Sequence, residues 1–126
     1  MWEASELGSE DLLWAGTTFM GGIAGRQQAP CGAVSASAIY LGLRHRRSLV
    51  DKEKAEQARV IAREQASRVV MNFTEKFGSI ICGELLGFDF SDTEAARKFR
   101  EKGLWKEKCD NYVQYAIERL YQLDEG

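Results

Sequence analysis

Apolar residues recur every three or four positions along most of this chain, the spacing of one face of an α-helix. The longest such stripe lies within residues 51–77 and consists of Ala58, Ile61, Ala62, Ala66, Val69, Val70, Phe73 and Phe77. The sequence contains no alternation of apolar and polar residues and no Asn-Gly or Asp-Gly turn, the signals of strands and hairpins. We therefore predict an all-α fold, a compact bundle of about five or six helices, with residues 1–126 forming a single helical domain.

Helix start and stop residues divide the remaining chain. Ser9, followed by two acids, predicts the N-cap of a helix over residues 9–20. The Ser-Asp-Thr-Glu sequence at residues 91–94 predicts a capping box that begins a helix ending at Gly103. The apolar segment 80–86 predicts one or two helical turns, and a last apolar stripe after Gly103 predicts a final helix.

Residues 30–43 form an uncharged segment in which small residues alternate with larger apolar ones. Pro30, the only proline, fits the first position of a helix because its missing N–H would have no partner there. A membrane span needs about 18 to 20 mostly apolar residues, whereas this segment has 14 positions and four of them are Gly or Ser. The segment therefore predicts a core helix that is buried on most sides.

Length and charge narrow the class of protein. A chain of 126 residues is one domain long and buries roughly two thirds of its unfolded surface. With 17 basic and 19 acidic residues well mixed, it lacks the basic surface that binding to nucleic acid requires. The first ten residues hold three Glu and no Lys or Arg, unlike a secretory signal, so we expect a cytoplasmic location.

Three cysteines are the main candidates for chemistry, and none is part of a Cys-x-x-Cys pair. Cys31 falls in the first turn of a predicted helix, where the dipole lowers a thiol pKa from about 8.5 to about 8. To activate the thiol, Arg26 or a bound metal would have to lower this pKa further. Cys82 and Cys109 fall on apolar faces, where a free cysteine is often a core side chain. Three inward-facing cysteines from three separate elements nevertheless point to one common site.

Two further sites are weaker. Gly21, Gly22 and Gly25 with Arg26 precede a helix and could cradle an anion, although a simple turn between helices explains them as well. His45, the only histidine, could complete a zinc site with the three cysteines, but a surface position is the simpler interpretation.

Four segments of the chain resemble the C_GCAxxG_C_C family of redox-active proteins, named for its cysteine pattern, whose relatives include a domain of the split-Soret cytochromes c. They are Met-Gly-Gly-Ile-Ala-Gly-Arg at 20–26, Pro-Cys-Gly-Ala-Val-Ser-Ala at 30–36, Phe-Gly-Ser-Ile-Ile-Cys-Gly-Glu-Leu-Leu-Gly at 77–87 and Cys-Asp-Asn-Tyr-Val at 109–113. The resemblance implies a helical fold in which Cys31, Cys82 and Cys109 are the functional cysteines. The family pattern begins with a further cysteine upstream, and no cysteine precedes Cys31 here. Ala36 stands where the motif usually has Gly.

The leading hypothesis is a thiol-based redox or metal-coordinating protein with an electron-transfer partner. In it Cys31 is the exposed thiol, and Cys82 and Cys109 are its partners in a disulfide or a metal site. A metal, an iron–sulfur cluster or a haem are the candidate cofactors, and the sequence requires none of them. The rival hypothesis is a homodimeric structural or interaction protein with core cysteines. A third is a binder of haem or a nucleotide.

Overall fold

Six α-helices and one short 3-10 helix follow one another in the computed structural model, which describes residues 10–125. The α-helices are α1 (Asp11–Gly16), α2 (Gly32–His45), α3 (Lys52–Phe77), α4 (Cys82–Leu86), α5 (Thr93–Glu101) and α6 (Leu104–Glu125), with the 3-10 helix Thr17–Phe19 after α1. The described part holds no strand, which confirms the all-α prediction and the predicted number of helices.

The three long helices α2, α3 and α6 pack against one another, and α5 packs on α6. Their apolar faces enclose two clusters of buried side chains. One lies around α4 and consists of Val34, Phe73, Cys82, Leu85, Leu86, Phe99 and Tyr112. The other lies toward the opposite end of α2 and consists of Tyr40, Leu41, Val69 and Leu120. The cluster that contains Cys82 is also the one against which the other two cysteines pack.

Helix α3 confirms the strongest sequence prediction. Asp51 is its N-cap and accepts a hydrogen bond from the Lys54 amide at 3.1 Å, and Gly78 ends it with a left-handed φ of 87°. Phe73 of the predicted stripe is fully buried. Ile61 of the same stripe is 45 % exposed. In this part of α3 the alanines Ala58 and Ala62, and not Ile61, face the C-terminal end of α2.

Pro30 does not start a helix, contrary to the sequence prediction. It pairs with Ile81 in an isolated antiparallel bridge, and α2 begins at Gly32 with Cys31 as its N-cap. The bridge hydrogen bonds come from the neighbouring positions, Cys31 N to Ile80 O at 2.7 Å and Cys82 N to Ala29 O at 3.1 Å. Pro30 lies between the residues that form these two hydrogen bonds, and its own nitrogen is not required as a donor. Proline, which has no N–H, therefore fits this position without the loss of a hydrogen bond.

The prediction of a capping box at 91–94 is wrong, and the N-cap lies one residue later than expected. Asp92, not Ser91, is the N-cap of α5, and its carboxylate accepts from the Ala95 amide at 3.1 Å. The Ser91 amide donates instead to the Asp89 carboxylate at 2.8 Å. The predicted cap at Ser9 lies outside the described residues, and α1 begins at Asp11.

Helix α2 is less buried than its composition suggested. Val34, Ser37, Tyr40 and Leu41 are buried, but the other positions are partly or fully exposed. Small side chains therefore form an open apolar face of the helix between α1 and α6. None of the helices within residues 10–125 combines the length and apolar character that crossing a membrane requires.

Candidate functional site

Cys31, Cys82 and Cys109 line one cavity of about 300 Å³, which we call the thiol cavity. The convergence that the sequence suggested is therefore present in the structure. All three cysteines are free thiols; Cys82 is buried, while Cys31 and Cys109 are partly buried. The other lining residues are Met20, Gly21, Gly32, Ala33, Leu85, Leu86, Phe90, Tyr112 and Val113.

The Pro30–Ile81 bridge joins the two segments that carry Cys31 and Cys82. Cys31 follows one bridge residue and is the N-cap of α2, and Cys82 follows the other and is the first residue of α4. Because the pairing is antiparallel, the two cysteines occupy diagonal positions on either side of the bridged pair. Cys109 comes from α6 and lines the same cavity.

Residues 21–25, which we call the glycine turn, have left-handed backbone conformation throughout, with φ between 54° and 74°. Ile23 and Ala24 are part of this turn, at a cost of about 1–2 kcal/mol each for an L-residue with a side chain. The amides of residues 23–27 all donate to backbone carbonyl oxygens of residues 18–23, at 2.7–3.4 Å. These amides are engaged within the chain, and the anion cradle at Gly21, Gly22, Gly25 and Arg26 stays a prediction.

The glycine turn is in close contact with the cysteine segment. A Cβ on Gly22 would lie 2.7 Å from the Ala29 oxygen and 3.0 Å from the Cβ of Cys82. A Cβ on Gly25, by contrast, would meet nothing within 4 Å. Gly22 is therefore needed for close packing beside Cys82, and Gly25 only for its backbone conformation.

Gln27, buried with 6 % of its surface exposed, joins the glycine turn to the segment after α4. Its side-chain Nε2 donates to Phe88 O at 2.8 Å, and its Oε1 accepts from Phe90 N at 2.6 Å. Its backbone oxygen accepts from Gly83 N at 2.9 Å. Sequence analysis missed this residue, because a glutamine in a polar loop carries no signal of burial.

Burial raises the pKa of all three thiols. For Cys31 the amides of Ala33 and Val34 oppose the effect of burial, although the sulfur makes no capping hydrogen bond of ordinary length. Burial, and after it negative charge on Cys31 and on Cys109, together raise the pKa of Cys82 to about 11. Burial also raises the pKa of Cys109, with charge on Cys31 adding to it. The resting site at neutral pH is therefore a set of protonated thiols close enough to sense one another's charge.

Tyr112 lines the cavity and joins two helices. Its hydroxyl donates to Leu85 O at 3.0 Å. Burial raises the pKa of Tyr112, and negative charge on the three cysteines adds to the effect. The phenol thus holds α6 to α4.

His45 lies at the far end of α2 from Cys31, about 20 Å away along a helix that rises about 1.5 Å per residue. Its Nε2 is 2.7 Å from the Gln65 side-chain oxygen, and it lines a different cavity. The weaker alternative of a zinc site formed by the three cysteines and His45 is therefore wrong. Among residues 10–125, no group of three or more His, Cys, Asp or Glu side chains is arranged to hold a metal ion.

Three free thiols thus share one apolar cavity in a helical bundle. The model of one family, described as "Putative redox-active protein (C_GCAxxG_C_C)", matches residues 2–123. The chain therefore belongs to the C_GCAxxG_C_C family. No curated protein and no solved structure matches the chain.

We expect Gly22→Ala to lower the free energy of unfolding by about 2–5 kcal/mol, the sum of left-handed strain and a backbone clash. Gly25→Ala is the matched control, since its Cβ meets no atom and only the strain of about 1–2 kcal/mol applies. Denaturant unfolding measures both variants. Equal losses would show that the close packing around Gly22 contributes nothing to stability.

We expect stability to fall as pH rises from about 9 toward 11, because an unfolded thiol ionises near 9.0 while Cys82 in the folded protein holds its proton until about 11. Cys82→Ala removes this titration and should flatten the pH dependence. Denaturant unfolding from pH 8 to 11 measures the free energy of unfolding of both the wild-type protein and Cys82→Ala. The difference between the two removes the contribution of the other titrating groups, which both proteins have. Parallel curves would contradict the assignment.

Proposed function

We propose that this protein carries out reversible thiol–disulfide chemistry in the thiol cavity. The observation that carries the proposal is that cysteines from three separate elements line one small cavity. Membership of a family described as redox-active supports the same class of reaction. The electron partner is then a disulfide or dithiol that reaches this cavity, and a reducing compartment such as the cytoplasm would return the site to its thiol state.

The proposed reaction has two exchange steps. A thiolate of the protein attacks one sulfur of a disulfide oxidant, forming a mixed disulfide and releasing one thiol of the oxidant. A second protein thiolate then attacks the mixed disulfide and releases the other half of the oxidant as a thiol. Two protein thiols become one disulfide, and the oxidant gains the two electrons and the two protons.

Cys31 is the proposed attacking thiol. It is partly exposed, and the amides of Ala33 and Val34 at the start of α2 favour its thiolate. Cys82 is the proposed resolving thiol, because it is buried and lines the same cavity as Cys31. Cys109 faces both from α6 and is the third thiol of the site.

We expect Cys31→Ser to slow oxidation by a disulfide at least about tenfold, because the attacking sulfur is lost. We expect Cys82→Ser to accumulate the mixed disulfide, because the resolving sulfur is lost. Cys109→Ser is the matched control with one thiol fewer. Intact mass after quenching with an alkylating agent distinguishes thiol, mixed disulfide and internal disulfide. Oxidation of Cys31→Ser at the wild-type rate would refute the assignment.

Association of two copies is a second candidate function, favoured by the apolar residues that α1 and the following segment expose. Leu13, Trp14 and Met20 are 50 %, 72 % and 60 % exposed, beside an open apolar cavity of about 420 Å³ between α1 and α2. We expect a concentration-dependent dimer in light scattering after size exclusion. Trp14→Asp should weaken it, because a charge would have to be buried, whereas Glu10→Gln should not. A monomer at all concentrations would exclude this function.

A further inference from the structure

We propose that the thiol cavity selects disulfides that are uncharged and apolar, and discriminates against those with carboxylate or ammonium groups. This inference rests on the proposed thiol–disulfide function and names the substrate class of that site.

The lining of the cavity carries the argument. Apart from the three thiols, the Met20 thioether and Tyr112, the described residues that line it have hydrocarbon side chains or are glycine. The Tyr112 hydroxyl already donates to Leu85 O. The amides from Ile23 to Gln27 donate to carbonyls of the chain, and those of Ala33 and Val34 act on Cys31. A charged substituent entering the cavity would therefore lose its hydration and meet no charged side chain in exchange.

Charges of both signs lie beside the cavity. Lys108 and Asp110 flank Cys109 on α6 and act in opposite directions on its pKa. The Lys108 ammonium also donates to Leu86 O at 3.3 Å. These flanking side chains therefore do not present a single sign of charge to a substrate.

The surroundings extend the apolar character. The thiol cavity shares Met20 and Gly32 with the apolar cavity between α1 and α2. It shares Gly32, Ala33 and Val113 with another, of about 270 Å³, between α2 and α6. An apolar substituent of the disulfide would leave water on either side of α2, which is favourable, whereas a charged one would meet hydrocarbon.

The test compares three small symmetric disulfides of similar length: dipropyl disulfide, cystamine and 3,3′-dithiodipropionate. Each oxidises two protein thiols and is itself reduced to two small thiols. Rates with the reduced full-length protein are divided by the rates of the same disulfides with 2-mercaptoethanol, which removes their intrinsic reactivity.

We expect the normalised rate of the uncharged disulfide to exceed that of both charged ones at least about tenfold, owing to the unpaired desolvation of charge. A smaller ratio, or a preference for either charged disulfide, overturns this inference while leaving thiol–disulfide chemistry standing. Absence of reaction with all three, with the thiols still free by alkylation, overturns the proposed function as well.

Variants at the edge of the cavity sharpen the test. Val113 lines the cavity and is 45 % exposed, so a longer polar side chain there can reach water. Val113→Asp should raise the rate with cystamine relative to dithiodipropionate at least threefold, and Val113→Lys should reverse the order. Asn111→Lys, exposed on the same helix and outside the cavity, should leave the wild-type ratios unchanged. Equal shifts in Asn111→Lys and Val113→Lys would attribute the effect to net charge and overturn the inference.

Discussion

The buried amide of Gln27 is the interaction on which the geometry of the site depends. It binds the segment after α4 through Phe88 and Phe90, while its backbone binds Gly21 on one side and Gly83 on the other. Two irregular segments, the glycine turn and the segment after α4, are thereby joined with the first turn of α4 in one network. A buried amide must satisfy both its donor and its acceptor, so this network fixes the positions of the glycine turn and of α4 together.

The strain of the glycine turn follows from this arrangement. Residues 21–25 turn in the left-handed sense, which costs energy at Ile23 and Ala24. The same turn lets Gly22 pack against the Cβ of Cys82. Hydrogen bonds within the turn and to Gln27 offset the cost. Left-handed strain and two cysteines at helix starts thus occur together, as strained backbone often does at functional sites.

Burial and the helix start act on the thiols in opposite directions, and burial prevails. The amides at the start of α2 favour a thiolate at Cys31, but the apolar cavity raises the pKa of every cysteine in it. A dipole effect of about 0.3–1 kcal/mol is small beside the cost of removing a charge from water. The sequence prediction of a slightly lowered pKa for Cys31 is therefore wrong, since it weighed the local helix start without the surrounding apolar walls.

The sequence by itself determined the helices, because periodic apolar faces and local caps such as Asp51 and Gly78 need only near neighbours. It also indicated that three cysteines face inward, since each lies among apolar positions. The pairing of Pro30 with Ile81, the burial of Gln27 and the separation of His45 from the cysteines depended on the tertiary structure. The first two features join residues that are about 50 or more positions apart in the sequence. The third depends on where the cavity lies along α2. Local pattern carries no information on which distant segment supplies a hydrogen-bond partner or an apolar wall.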